Sequence, residues 1–153
     1  KNHYQDHTSL ESAFCIQTKN TKARLLSFHE YFFDQCDVNF RTKKHLSSPK
    51  KNSACKRLNM YLRWMVRTDN NGVDFGIWKS IPQDELILPL DVHVLNVSNA
   101  LGLCNSLKPN WKMAEEITQK LRLIEPKDPV KFDFALFGMG IDKYIDIKKS
   151  EKI

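Results

Sequence analysis

Apolar side chains recur at spacings of three and four along most of the chain, which is the period of amphipathic α-helices. The longest such stretch is 53–68, where the apolar positions are Ala54, Leu58, Leu62, Met65 and Val66. The turn-forming residues of 69–72 follow it and predict the end of that helix. Thr21 and Asp128 are predicted to cap further helices. Pro109 is predicted to open another helix, whose inward residues are Trp111, Ala114, Ile117 and Leu121. We therefore predict an all-α fold, in two packed lobes with a cleft between them.

A shorter helical stripe follows Asp91 and consists of Val94, Val97, Ser98 and Leu101, with Gly102 at its end. Asp91 stands where a helix N-cap belongs, a role that an aspartate fills without any further function. The apolar and aromatic segment 73–78 fits either a hairpin or a packed loop. We divide the single helical domain, 1–153, into a basic hairpin and helix over 41–68, an insertion loop over 69–79 and an Asp-bearing helix over 91–102.

Basic residues are concentrated in one part of the chain, and this indicates a class of partner. The chain carries 24 Lys and Arg against 18 Asp and Glu. Within 41–67 there is no acidic residue, and the nine cations are Arg41, Lys43, Lys44, Lys50, Lys51, Lys56, Arg57, Arg63 and Arg67. Many basic stretches are only solvated surface, but a window this long without an acid favours a polyanion such as nucleic acid.

Composition excludes several other classes of protein. A hydrophobic fraction of 41% is too high for a disordered chain, and no apolar run reaches the roughly 18 residues that a membrane span needs. The cysteines are too widely spaced for a zinc ribbon or an iron–sulfur cluster, since they stand at Cys15, Cys36, Cys55 and Cys104. We expect reduced thiols in a cytoplasmic monomer, with no metal, cofactor or membrane partner. Because the chain starts at Lys1 without an apolar leader, we also expect the C-terminal part of a longer protein.

Two residues stand at predicted helix starts, where their charges have chemical consequences. Lys56 lies in the first turn of the 53–68 helix, so the helix dipole and neighbouring cations disfavour its ammonium form. A lysine that loses its proton readily can act as an amine nucleophile in Schiff-base chemistry, although phosphate binding would also explain its place. Asp91 is stabilised as a carboxylate by its own helix start, although capping alone would explain it.

The segments around these two residues resemble known families. Pro89-Leu90-Asp91-Val92-His93 is similar to the segment that holds the catalytic aspartate in helix-hairpin-helix DNA glycosylases, of the 8-oxoguanine glycosylase and endonuclease III-like kinds. Cys55-Lys56-Arg57-Leu58 looks like the segment that holds their Schiff-base lysine. The segments 53–67, 69–74 and 132–138 more closely resemble an uncharacterised bacterial family of conserved hypothetical proteins.

The glycosylase resemblance implies a DNA-binding enzyme that excises a damaged base from double-stranded DNA and nicks the strand as an AP lyase. It implies Lys56 as the Schiff-base nucleophile, and Asp91 as the carboxylate that offsets positive charge on the sugar or takes up a proton. It places DNA contacts at Lys50, Lys51, Asn52, Ser53, Arg57, Arg63 and His93. The flipped base would stack on Trp64, Trp78 or Phe137, residues that core packing would equally explain.

The hairpin before Lys56 differs from the Gly-rich hairpin of those glycosylases, because 48–53 contains no glycine. Asn52 tolerates a left-handed backbone better than most residues, so we expect the turn to form. Two alternative functions are a non-catalytic helix-hairpin-helix module that binds DNA or RNA, and an interaction protein with a basic face. The enzyme hypothesis requires Lys56 Nζ and the Asp91 carboxylate to share one cleft.

Overall fold

Helices account for most of the described chain in a computed structural model, which covers residues 3–15, 20–34, 39–69 and 72–142. The α-helices are α1 (His3–Asp6), α2 (Thr21–Asp34), α3 (Phe40–Lys43), α4 (Lys56–Val66), α5 (Val92–Ala100), α6 (Trp111–Ile124) and α7 (Asp133–Ile141). Short 3-10 helices cover Leu10–Ala13, Pro49–Lys51, Gln83–Glu85 and Pro129–Phe132. Within the described ranges, strand-like pairing is limited to one isolated antiparallel bridge between Thr68 and Phe75. The all-α prediction is confirmed.

Apolar side chains from α2, α4, α5, α6 and α7 share one hydrophobic core. The α6 residues that repeat at three and four are all buried in it, namely Trp111, Ala114, Ile117 and Leu121. The shared core fixes the ends of these helices relative to one another, while the division into two lobes stays a prediction. Among the described helices, none combines the length and the apolar character needed to cross a bilayer.

α4 is shorter than the predicted 53–68 helix, because the backbone leaves helical geometry at Cys55 and at Arg67. At its start, Cys55 is the N-cap residue with a left-handed backbone at φ 49°, so the helix begins at Lys56. After its last turn, Arg67 is extended at ψ 134° and leads the chain away from the helix axis. The N-terminal end of α4 therefore joins the turn at 49–52, and its C-terminal end lies beside the insertion loop.

Residues 73–78 of the insertion loop lie against the C-terminal end of α4. The N–H groups of Phe75 and Trp78 donate to the carbonyls of Trp64 and Met65 at 2.7 and 2.8 Å. Its residues alternate between the interior and the solvent, with Asp74, Gly76 and Trp78 buried and Val73, Phe75 and Ile77 exposed. Of the two structures compatible with the sequence, the packed loop is therefore the one that forms.

α5 and α7 lie against each other, and a glycine allows their close approach. A Cβ on Gly140 would lie 2.8 Å from His93 Cβ and 3.0 Å from the His93 carbonyl oxygen. The backbone of α7 therefore contacts the first turn of α5, two residues after Asp91. This contact helps to fix the start of α5.

Some predicted helix starts are displaced by a few residues. Asn20, rather than Thr21, caps α2 by accepting backbone N–H groups of its first turn. Asn110, rather than Pro109, directly precedes α6 and caps it. Asp128 makes no cap bond, and the helix predicted to start there is divided into a 3-10 turn and α7. α6 still buries the residues predicted for its inward face, whereas Phe32 of α2 and Phe134 of α7 are exposed.

Candidate active site

The starts of α4 and α5 meet, and this brings Lys56 and Asp91 together. Lys56 Nζ donates a hydrogen bond to Asp91 Oδ2 at 2.8 Å, although the residues are 35 positions apart. The side chain of Lys56 is 43% exposed and that of Asp91 is 13% exposed. The predicted juxtaposition of the two residues is confirmed. The amine faces solvent, and the carboxylate is the more enclosed partner.

Asp91 caps α5 and pairs with Lys56 through different oxygens. Its Oδ1 accepts the Val94 N–H at 2.9 Å, so the predicted N-cap role is confirmed. Burial raises the pKa of Asp91, but the bond from Lys56, the cap bond and the Lys56 charge outweigh burial and bring the pKa below its ordinary value. Asp91 is therefore a carboxylate at neutral pH.

The same contact pairs the two side chains as opposite charges. Lys56 Nζ and Asp91 Oδ2 form a salt bridge at 2.8 Å. The resting site is thus an ion pair. A free amine forms when the ammonium gives up a proton, and Asp91 Oδ2 already accepts the hydrogen bond along which that proton would move.

The hairpin before α4 forms without glycine. The 3-10 turn Pro49–Lys51 leads into Asn52, whose backbone is left-handed at φ 55°, as expected from its residue type. The Asn52 carbonyl accepts the Trp111 N–H at 3.1 Å, which ties the hairpin to the start of α6. α4 itself starts without a side-chain cap bond, beside the exposed Lys56 and Arg57. Uncapped N–H groups next to cations favour an anionic ligand.

Most cations of the 41–67 window lie on the surface. We call the exposed set the basic surface, which consists of Arg41, Lys43, Lys44, Lys50, Lys51, Lys56 and Arg57. Of the other predicted DNA contacts, Asn52 is exposed and Ser53 is half-buried. The prediction that Arg63 contacts DNA is wrong, because its side chain is only 1% exposed and is paired with carboxylates.

Arg63 and Arg67 instead belong to a buried cluster of charges. The carboxylate of Asp74 accepts hydrogen bonds from Arg63 Nε at 3.3 Å and from Arg67 Nη1 at 2.6 Å. Arg63 also bonds Asp133 at the start of α7, and Arg67 bonds Asp128 at 3.0 Å. This buried cluster ties the insertion loop and α7 to α4.

Asp133 brings the buried cluster within electrostatic reach of the site. Burial raises the pKa of Asp133, and the Arg63 guanidinium opposes that shift. The charges of Asp91 and Lys56 also act on Asp133. This arrangement was not predicted, although the sequence carries one signal. Spacings of three and four place the polar residues Lys56, Asn59 and Arg63 along one face of α4, and Arg67 follows directly after the helix.

The two predicted stacking tryptophans lie away from Lys56. Trp78 is 4% exposed and packs in the core against Phe14 and Tyr61, so its prediction as a base-stacking residue is wrong. Trp64 is half-buried in the last turn of α4, whereas Lys56 is the first residue of that helix. Core packing explains Trp78 because the insertion loop turns its side chain inward.

Phe137 contacts His93 on the first turn of α5. The Phe137 ring is half-buried and meets the His93 ring edge-on, with 5.9 Å between their centroids. His93 is exposed and lies two residues after Asp91. Phe137 therefore packs on the helical turn that Asp91 caps.

The reactive groups that meet at this site are an amine and a carboxylate, a pair suited to Schiff-base chemistry. Burial raises the pKa of the thiols of Cys15, Cys55 and Cys104, so these groups are poor nucleophiles at neutral pH. Cys36 lies outside the described residues.

Among the residues that the structure describes, no group of His, Cys, Asp and Glu is arranged to hold a metal ion.

Comparison with known proteins identifies one family. The model of the family described as "Protein of unknown function (DUF2400)" matches residues 1–142. No curated protein and no solved structure matches the chain. The family description names no activity, so the function has to be argued from the site.

Proposed function

Because the chain belongs to the DUF2400 family, whose description names no activity, we propose its function from the site: a DNA glycosylase and AP lyase that acts through a Schiff base on Lys56. The observation that carries the proposal is the 2.8 Å contact between Lys56 Nζ and Asp91 Oδ2. A nucleophilic amine beside a carboxylate matches a reaction in which positive charge develops on a sugar. The resemblance of both segments to helix-hairpin-helix glycosylases supports the same activity.

The two residues divide the chemical steps between them. Lys56 passes a proton to Asp91 and attacks C1′ of the flipped nucleotide with the freed lone pair. The bond between C1′ and the base breaks, and the base leaves with that electron pair and takes the proton from Asp91. The C1′–O4′ bond then breaks, O4′ takes up a proton from Nζ, and a protonated Schiff base forms between Nζ and C1′. The Asp91 carboxylate takes up a C2′ proton, and the electron pair of that C–H bond expels the 3′-phosphate and breaks the strand.

The basic surface supplies the contacts that this reaction needs with the DNA backbone. Lys50 and Lys51 lie in the hairpin that leads into α4, and Arg57 directly follows Lys56. Cations so close to the nucleophile would neutralise phosphates on either side of the attacked sugar. A helix-hairpin-helix glycosylase-like architecture, with the site in a cleft between two lobes, belongs to the same proposal.

Borohydride trapping tests the Schiff base directly. We expect wild type to form a covalent complex with a lesion-bearing duplex, and Lys56→Ala to form none while remaining folded by circular dichroism. Lys79→Ala is the matched control, since Lys79 is also an exposed lysine but lies outside the basic surface. A lesion-bearing duplex is preferred because abasic sites react with stray amines.

The basic surface also favours a second candidate, a non-catalytic module that binds DNA or RNA. If wild type traps nothing across a broad lesion panel but binds duplexes with a steep salt dependence, the binding module replaces the enzyme. If trapping persists in Lys56→Ala and disappears in Lys79→Ala, then Lys79 and not Lys56 supplies the amine, and the proposal is rejected.

A further inference from the structure

Asn59 is a buried polar residue that lies one turn after Lys56 on α4. It is 1% exposed, and its Nδ2 donates to the Ala54 carbonyl at 3.0 Å. Its Oδ1 is buried and has no hydrogen-bond partner among the described residues. Burying an amide with one unsatisfied oxygen opposes folding, so apolar packing alone does not account for an asparagine at this place.

The bonds of Asn59 converge on the junction between the hairpin and α4. Its backbone N–H donates to the Cys55 carbonyl at 2.9 Å, while its side chain holds the preceding carbonyl of Ala54. Cys55 has a left-handed backbone at φ 49°, a conformation that is unfavourable for any residue with a Cβ. Ser53 Oγ accepts the Cys55 N–H at 3.3 Å from the other side. Residue 59 therefore bonds the carbonyls on both sides of the strained Cys55, and the bond to Ala54 is the one that depends on the asparagine side chain.

The strained junction determines where Lys56 stands. Lys56 is the residue after Cys55, and α4 starts there without a side-chain cap bond. If Cys55 relaxed to a negative φ, the first turn of α4 would rotate and carry the Lys56 side chain away from Asp91. We infer that Asn59 is a positioning residue that keeps Lys56 Nζ in contact with Asp91, a role whose catalytic consequence rests on the proposed function.

Asn59→Asp tests this role by a pH profile. An ionised carboxylate cannot donate to the Ala54 carbonyl, whereas a protonated one can. At neutral pH we expect the trapping rate to fall by about 10²-fold, the loss typical of small misplacement of a reacting group, with little change in duplex affinity. The ratio of variant to wild-type rate should rise as the pH falls and the new carboxyl is protonated. A ratio of one, or a reduced ratio that is independent of pH, would overturn the inference.

Cys55→Gly supplies a second test, because glycine adopts the left-handed conformation without strain. Both Asn59→Ala and Cys55→Gly remove buried groups, so a merely structural role predicts additive losses. A positioning role predicts instead that Cys55→Gly restores a large share of the trapping rate lost in Asn59→Ala. Additive losses would contradict it.

A readout without DNA separates this inference from the proposed enzyme activity. The carboxyl pKa of Asp91, followed by NMR, should move upward toward its ordinary value in Asn59→Ala, because the bond from Lys56 helps to lower it. If the pKa moves in this way although wild type never traps DNA, the positioning role holds and the enzyme proposal fails. If wild type traps DNA and Asn59→Ala changes neither the pKa nor the rate, the enzyme stands and the positioning role is wrong.

Discussion

At the scale of single residues, Asp91 is the position where capping and catalysis can be separated. Its two oxygens have different partners, since Oδ1 accepts from the Val94 backbone and Oδ2 from Lys56 Nζ. An asparagine keeps the amide oxygen for the cap but turns an NH2 group toward the ammonium of Lys56. Substitution by asparagine therefore removes the ion pair and leaves the helix start intact.

We expect Asp91→Asn to keep most duplex affinity and to lose turnover by about 10²- to 10⁴-fold, the usual contribution of a general acid or base. Single-turnover base excision, measured beside equilibrium binding to the same duplex, checks this. Asp84→Asn, at an exposed carboxylate outside the site, is the control and should behave as wild type. Equal excision by Asp91→Asn and wild type would reduce Asp91 to a structural cap.

Asp91 should also make stability depend on pH. Its pKa is lower in the folded protein than its ordinary value, which is about 3.9 and applies to the unfolded chain. The stabilisation is therefore fully present above that value and is lost as the pH falls through the folded pKa. We expect the difference in Tm between wild type and Asp91→Asn to be largest near neutral pH and to shrink below about pH 4. A difference that is constant with pH would show that the ion pair does not contribute.

At the scale of helices, the contact between α5 and α7 fixes one side of the site. The Cβ of an alanine at 140 would lie 2.8 Å from His93 Cβ and 3.1 Å from the His93 carbonyl carbon. Because these neighbours are the His93 carbonyl group and a Cβ fixed directly to the backbone, they cannot move without displacing the first turn of α5. Gly140 therefore keeps α7 close enough to hold α5 where Asp91 meets Lys56.

We expect Gly140→Ala to lower the free energy of unfolding by about 1–3 kcal/mol, the usual cost of overpacking. Gly138→Ala is a control in the same helix, since a Cβ there has no neighbour within 4 Å. That control should be neutral or stabilising, because alanine favours a helix over glycine by about 0.5–1 kcal/mol. Urea unfolding of the three proteins gives the comparison. Equal changes in unfolding free energy for the two variants would show that α5 and α7 can move apart at little energetic cost.

At the scale of the whole molecule, the nine cations of the 41–67 window divide into an exposed set and a buried pair. Seven of these cations form the basic surface, whereas Arg63 and Arg67 form salt bridges with the buried carboxylate of Asp74. The buried cluster joins α4, the insertion loop and α7, and it has no part in long-range attraction of a polyanion. Attraction of DNA therefore depends on the exposed cations alone.

We expect reversal of Lys50 and Lys51 to Glu to weaken binding to all duplexes about equally, because backbone contacts carry no sequence information. The slope of log K against log salt should become less steep by about 2, one unit for each lost phosphate contact. Reversal of Lys79 and Lys127, two exposed lysines outside the basic surface, should leave the slope nearly unchanged. Fluorescence anisotropy over a salt series measures both. An unchanged slope in the first variant would place the DNA elsewhere.

The all-α class, the Asp91 cap, the left-handed Asn52 and the buried face of α6 all followed from the sequence. Each depends on interactions within a few residues, such as helical periodicity, a side chain that bonds its own backbone, or a residue that tolerates a positive φ. The predicted cap at Thr21 and the predicted helix start at Pro109 were displaced, because Asn20 and Asn110 make the caps. Local rules therefore predict that a helix forms more reliably than they predict the residue that caps it.

Only the tertiary structure decided the fate of individual charges and rings. No acidic residue near Arg63 in the sequence indicates that it is paired, and its burial depends on Asp74 and Asp133, which lie 11 and 70 residues away. Trp78 turned into the core because the insertion loop is bonded to the end of α4. Family resemblance suggested that Lys56 and Asp91 belong together, and the meeting of the starts of α4 and α5 places them in contact. The reason is physical: a side chain's neighbours across the fold, rather than along the chain, determine whether its charge meets solvent, a carboxylate or a substrate.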